Sequence, residues 1–329
     1  MSSGGGTTPA VDLLSITSDG IEVDVVTLGA SLAAVRVPDS AGQLDNVVLG
    51  HAEPASYLDR ARTPHLGAIA GRVANRIAGA SVEIDGVVVA LDANDGPNTL
   101  HSGRDGWGHR IWEVVRHDRD GVVLRLAGDD ADQGFPGRLL AEATYRVAPG
   151  TLTVIVTATT SAPTLFAPTS HPYWNLAGAS SGGVIDGHHL SVAANGVLEV
   201  DDALIPTGAV GPSPHLDGGP IGSTRWDHCL TLATRGVAGG SPAPPARVAT
   251  LEDPGSGRVM HLSTGSPGLQ LYTGDGLGDP FAPRQGVALE AELWPDAVHH
   301  PDWPVPSPVL RPGTIGRWWA RHDFGVLAG

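Results

Sequence analysis

Leu139-Leu140-Ala141-Glu142-Ala143-Thr144-Tyr145-Arg146-Val147-Ala148-Pro149-Gly150-Thr151-Leu152-Thr153-Val154-Ile155-Val156-Thr157-Ala158-Thr159-Thr160 reads as two strands about a Pro-Gly turn. Apolar residues alternate with polar ones through both halves, which predicts a long antiparallel pair with one face buried. Working outward, Ser81 to Leu91 carries Asp85-Gly86 between two β-branched halves, the strongest short-range hairpin signal. Val114 to Leu126 repeats the pattern around Arg119-Asp120-Gly121. No segment keeps a 3.6-residue apolar stripe for three turns, and Glu53 to Leu58 supports one short turn at most. Antiparallel β structure therefore dominates, and α/β and bundle folds are excluded. Residues 1–10, nearly all Gly, Ser, Thr and Pro, read as a flexible tail before a single domain at 11–329. Val237 to Ala246, rich in Gly and Pro, reads as an exposed loop inside that domain.

Composition narrows the chemistry. With 41% hydrophobic residues in 329, the chain is long enough to bury roughly three quarters of its unfolded surface. The formal net charge of −15 argues against nucleic acid, which needs clustered cations to displace counterions. All 20 basic residues are Arg. Schiff-base catalysis, pyridoxal phosphate attachment and a Walker-loop amine are excluded by the absence of Lys. Cys229 is the one cysteine, so neither a disulfide within the chain nor a thiolate zinc site forms; a small buried hydrophobe is its plain reading. No run approaches the eighteen or so apolar residues of a membrane helix, and the first residues lack the basic start and apolar run of a signal peptide, so a cytoplasmic protein with no membrane partner is expected.

Five polar blocks stand far apart: Gly71-Arg72-Val73-Ala74-Asn75-Arg76-Ile77, Asn98-Thr99-Leu100-His101-Ser102-Gly103, Thr169 to Leu176, Trp226-Asp227-His228, and Leu289 to Asp296. Each sets Arg, His, Asp or Glu beside aromatic or Gly residues, the mixture that holds a small polyhydroxylated ligand and moves protons on it. Strand alternation places Glu290 and Glu292 on one face and Leu289, Ala291 and Leu293 on the other. From spacing alone, a solvated outer face and a site are equally open. His171, next to aromatics, is compatible with a hydrogen-bonded structural residue, and His101 with a polar turn. Arg76 offers a planar fork for vicinal hydroxyls or for a neighbouring carboxylate, with Asn75 adding an amide. Arg72 reads as structural. Asp227 is an acceptor for paired hydroxyls, and Gln270 in Leu269 to Gly274 has a similar claim. Trp174 or Trp294 would serve as an apolar platform, although eight Trp in a β protein are mainly core. His188-His189 and His299-His300 are adjacent pairs whose rings point to opposite faces of a strand, so no metal or other cofactor is expected.

Taken in order, the five blocks resemble the aldose 1-epimerase family, the galactose mutarotases, from about residue 20 onward. The resemblance implies an all-β fold, a large antiparallel twisted β-sandwich (the mutarotase-like supersandwich) with the site on a concave face. It implies that α and β anomers of a free aldose are interconverted by general acid/base ring opening and closure. Glu290 falls where the family carries the base for the anomeric hydroxyl, and His171 matches the acid at the ring oxygen. His101 matches a second site histidine, Asp227 a hydroxyl-binding aspartate. Two positions depart from the pattern: Ser170 stands where Asn is common, and Glu292 where Gln is usual. An extra carboxylate beside Glu290 raises its pKa. Other readings on the same scaffold are a non-catalytic sugar-binding or regulatory protein, and an enzyme for a hexose 6-phosphate or a specialised metabolite. The expected partner is a small sugar, and the expected assembly a monomer or homodimer.

Overall fold

Leu139–Ala148 and Thr151–Thr160 pair antiparallel along their whole length, from Leu139 opposite Thr160 to Ala148 opposite Thr151. The computed structural model describes residues 10–62, 65–233 and 246–327. The tail at residues 1–9 and nearly all of the Gly/Pro loop at Val237 to Ala246 lie outside them. Around the central pair grows a nine-stranded antiparallel sheet: Glu113–His117, Gly121–Gly128, Leu139–Ala148, Thr151–Thr160, Gly316–Val326, Arg258–Thr264, Ala246–Glu252, His189–Val192 and Asp217–Pro220, in that spatial order. The late strand Gly316–Val326 thus lies in the middle of the sheet, between Thr151–Thr160 and Arg258–Thr264. A six-stranded sheet follows the order Tyr173–Trp174, Val287–Glu292, Gly268–Tyr272, Asp227–Leu232, Ala194–Val200 and Pro206–Pro212.

The two sheets meet face to face. Leu152, Val154, Val156, Met260 and Leu262 from the larger pack with Leu230, Leu269, Leu271, Val287 and Leu289 from the smaller in one buried cluster. Each such side chain contributes about 1.5–3 kcal/mol on burial. Trp318 crosses between the sheets, its indole N–H donating to the Ala291 carbonyl at 2.7 Å. The four strands Leu13–Ser18, Ile21–Val26, Ser31–Pro38 and Leu44–Asn46 form a further sheet, which adds Ile16, Val23, Val25, Leu32 and Val35 to the same core.

The hairpin Ser81–Ile84/Val87–Ala90 turns where expected, with Asp85 at φ 52° and Gly86 at φ 79°, both positive as a tight two-residue hairpin turn requires. Pro54–Leu58 is a single 3-10 turn. Among the described residues no helix is long and apolar enough to cross a membrane. Trp174 is a correction: it does not line a sugar site but lies fully buried in the core against His322 and Phe324. In a two-residue strand only one neighbour faces each way, and Tyr173 takes the other face.

Candidate active site

The strand Val287–Glu292 carries the site because its alternation sends Val287, Leu289 and Ala291 to the core and Glu290 and Glu292 to the opposite face. Register extends that face across three strands. Glu290 lies opposite Gln270, which lies opposite Cys229. One row away, Tyr173, Ala288, Tyr272 and Asp227 align; on the other side, Glu292, Gly268 and Thr231 do. The face is not solvated: Glu290 is 3% and Glu292 1% exposed. The outer-face reading of the two carboxylates is therefore wrong, because loops from the first half of the chain cover the strand.

Those loops are the first two polar blocks, locked together. The Val73 N–H donates to Ser102 Oγ at 2.8 Å, and that hydroxyl donates back to the Val73 carbonyl at 3.0 Å. The Asn75 N–H donates to His101 Nδ1 at 3.1 Å and the His101 N–H to the Asn75 carbonyl at 3.0 Å. Asn75, His101 and Ser102 all have positive φ, a conformation these bonds hold in place. Since His101 Nδ1 accepts a bond, the proton of the neutral ring sits on Nε2, which is then a donor. Asn75 reaches Glu292 Oε1 through its side-chain amide at 3.2 Å. Arg76 is half-buried and commits Nε to Asp95 at 2.7 Å. Arg72 is buried and its guanidinium donates to the carbonyls of Pro136, Gly137 and Asp129 and to Thr164 Oγ1, in line with a structural role.

His171 enters from the pair Thr169–Ser170 with Ile69–Ala70, pinned by backbone bonds to Ala68 and Gly67. Its Nε2 stands 3.4 Å from Glu290 Oε1. The other ring nitrogen, Nδ1, and the other Glu290 oxygen, Oε2, are both buried without a partner. Burial drives the two groups toward neutrality from opposite directions. It lowers His171 to about 4, and, together with Glu292 and Asp227, it holds Glu290 well above the usual carboxylate range. Both shifts favour a neutral imidazole beside a neutral carboxyl over the ion pair. Asp227 accepts from Gln270 Nε2 at 2.7 Å, and burial raises its pKa.

The structure thus gathers Asn75, His101, His171, Asp227, Gln270 and Glu290 around one face, with Arg76 at its margin. Residues 12–321 match the family model described as aldose 1-epimerase. The chain belongs to the aldose 1-epimerase family. Relatives include the galactose mutarotase of Rattus norvegicus, 34% identical over 94% of this chain and 92% of that protein. That of Homo sapiens is 35% identical with the same coverage. The aldose 1-epimerase of Escherichia coli strain K12 is 34% identical over 89% of each chain. Among solved structures, the GalM/aldose epimerase homologue from C. elegans has a TM-score of 0.86 at 27% identity, covering 97% of this chain and all of that one.

Two further side chains of this aldose 1-epimerase family member, His65 and Tyr173, carry no signal in the sequence that marks them for the site. His65 is half-buried with its ring 4.4 Å from His101, 4.9 Å from His109 and 6.3 Å from His171. Nothing periodic marks it; it stands six residues before Gly71. Tyr173 packs against His171 at 4.9 Å and against Tyr272 at 6.0 Å, walling the row next to Glu290. Trp294, the other platform candidate, is buried, gives its N–H to the Pro267 carbonyl and packs with Trp303, so it supports the strand end.

Proposed function

We propose that this chain interconverts the α and β anomers of a free aldose, galactose or glucose first, with Glu290 as base and His171 as acid. The observation that carries the reading is the 3.4 Å approach of His171 Nε2 to Glu290 Oε1 inside a buried, polar-lined face. Ring opening needs one proton removed from O1 and one delivered to O5, and a pair sharing a single proton supplies both. In the reactive form the proton sits on His171 and Glu290 is a carboxylate. Glu290 takes the O1 proton, the C1–O1 double bond forms, the C1–O5 bond breaks, and His171 protonates O5. After rotation about C1–C2, O5 returns its proton to His171 as it attacks C1 from the other side, and Glu290 returns the proton to O1. Atoms and charges balance, and no external acid is consumed.

The remaining polar groups supply orientation: Asp227, steadied by Gln270, accepts from sugar hydroxyls, while His101 Nε2 and Arg76 donate near the reacting end. Freshly dissolved α-D-galactose and α-D-glucose, followed by polarimetry, test the reading. The expected result is faster approach to the anomeric equilibrium, reduced on the order of 10²–10⁴-fold in Glu290→Gln. Unchanged activity in a folded Glu290→Gln protein would remove Glu290 from the mechanism.

A further inference from the structure

Glu292 is a second buried carboxylate on the same strand face as Glu290, and the proton exchange has no use for it. Its Oε1 accepts from Asn75 at 3.2 Å; its Oε2 is buried and without a partner. The residue opposite it across the strand pair is Gly268, which brings no side chain of its own to Glu292 and whose face is filled by Cys229 and Trp294. A Cβ at Gly268 would lie 2.8 Å from Cys229 Sγ and 3.0 Å from Trp294 Cδ1, which leaves no room for one. A buried carboxylate with one oxygen tied and the other unmatched costs free energy unless a ligand supplies the second partner.

We propose that Glu292 is a further sugar-binding residue of the site, Oε1 held by Asn75 and Oε2 presented to a hydroxyl of the bound aldose as a hydrogen-bond donor. The proposal rests on the anomer-exchange reading and adds a specificity contact to it. The groups facing Glu292 are Glu290 on its own strand, Asp227 and Cys229 on Asp227–Leu232, and Asn75 and Arg76 on the covering loop. Burial raises its pKa to about 8, the Asp227 charge works in the same direction, and Asn75 and Arg76 oppose it. Glu292 is accordingly neutral and able to donate below pH 8, and ionised above it.

The test separates KM from kcat in anomer exchange with α-D-galactose across pH 7–9, for the wild type, Glu292→Gln and Glu292→Leu. Glutamine accepts from Asn75 and donates through its own amide at any pH. Wild-type KM is expected to rise as pH passes through about 8 while the Glu292→Gln KM stays flat. Glu292→Leu is expected to raise KM about tenfold at pH 7, the scale of one lost hydrogen bond to a buried group, with kcat within threefold. A Glu292→Gln KM that climbs in step with the wild type, or a Glu292→Leu KM equal to the wild-type value, overturns the proposal. If Glu292→Leu fails to fold, the comparison with the isosteric glutamine decides alone. Absence of anomer exchange in the wild type would instead remove the function on which the contact depends.

Discussion

At the scale of single residues, the site works through protons displaced from their ordinary positions. Burial keeps His171 neutral down to about pH 4 and Glu290 protonated well above the usual carboxylate range, so the pair holds one proton over a wide interval. As pH falls through about 4, His171 binds a proton and Glu290 keeps its own, and no base remains for O1. We expect kcat/KM, measured by exchange NMR with circular dichroism as the fold control, to fall on the acid side near pH 4, well below the 6.5 of an ordinary histidine. His171→Asn should lose on the order of 10²–10⁴ in kcat. Arg72 makes the contrast, because it touches no reacting group. Arg72→Met strands three carbonyls and one hydroxyl, and should cost about 3 kcal/mol or more in urea unfolding while leaving kcat per folded molecule near normal.

At the scale of elements, alternation was readable and cover was not. The pattern through Leu139 to Thr160 and the Asp85-Gly86 turn are local, so both hairpins stand where the residues place them. The placing of Glu290 with Glu292 on one face was equally local. Whether that face meets water depends on the Asn75 and His101 loops arriving from some 200 residues away, and no property of the strand itself encodes their arrival. The same holds for Thr169–Ser170 and Tyr173–Trp174, strands of two residues that exist because distant partners pair with them. His65 went unnoticed for that reason, its importance lying in the rings around it. The covering loop itself depends on close contact at Gly71, where a Cβ would lie 2.1 Å from the Trp107 ring. Trp107 is buried and has no room to retreat. Gly71→Ala should therefore lose about 1–3 kcal/mol in denaturant unfolding and lower kcat together with stability, because the loop that sets Asn75 must shift.

At the scale of the whole molecule, the buried histidines link stability to pH. His171 and His322 are both lowered to about 4 by burial, His322 lying between the sheets against Trp174. In the unfolded chain each binds its proton near 6.5, so between about 4 and 6.5 the unfolded state carries more protons and stability rises with pH. Each group withdraws on the order of 3 kcal/mol as pH falls through that window. A His322→Leu variant should show a shallower decline of Tm between pH 6.5 and 4 than the wild type; equal slopes would place the acid sensitivity elsewhere.

The central position of Gly316–Val326 also sets a timetable for the ribosome. Its neighbour Thr151–Thr160, Thr-Leu-Thr-Val-Ile-Val-Thr-Ala-Thr-Thr, bears no charge and is rich in β-branched residues. During translation that strand emerges first and waits on the order of ten to thirty seconds for the segment that will lie beside it. Throughout the wait it presents an uncharged, open edge of the kind that recruits other chains. The longer Gly316–Val326 takes to follow, the longer that edge stays open. Slowing elongation after residue 160 should send more of the product into aggregates, and a chaperone that shields strand edges should recover it.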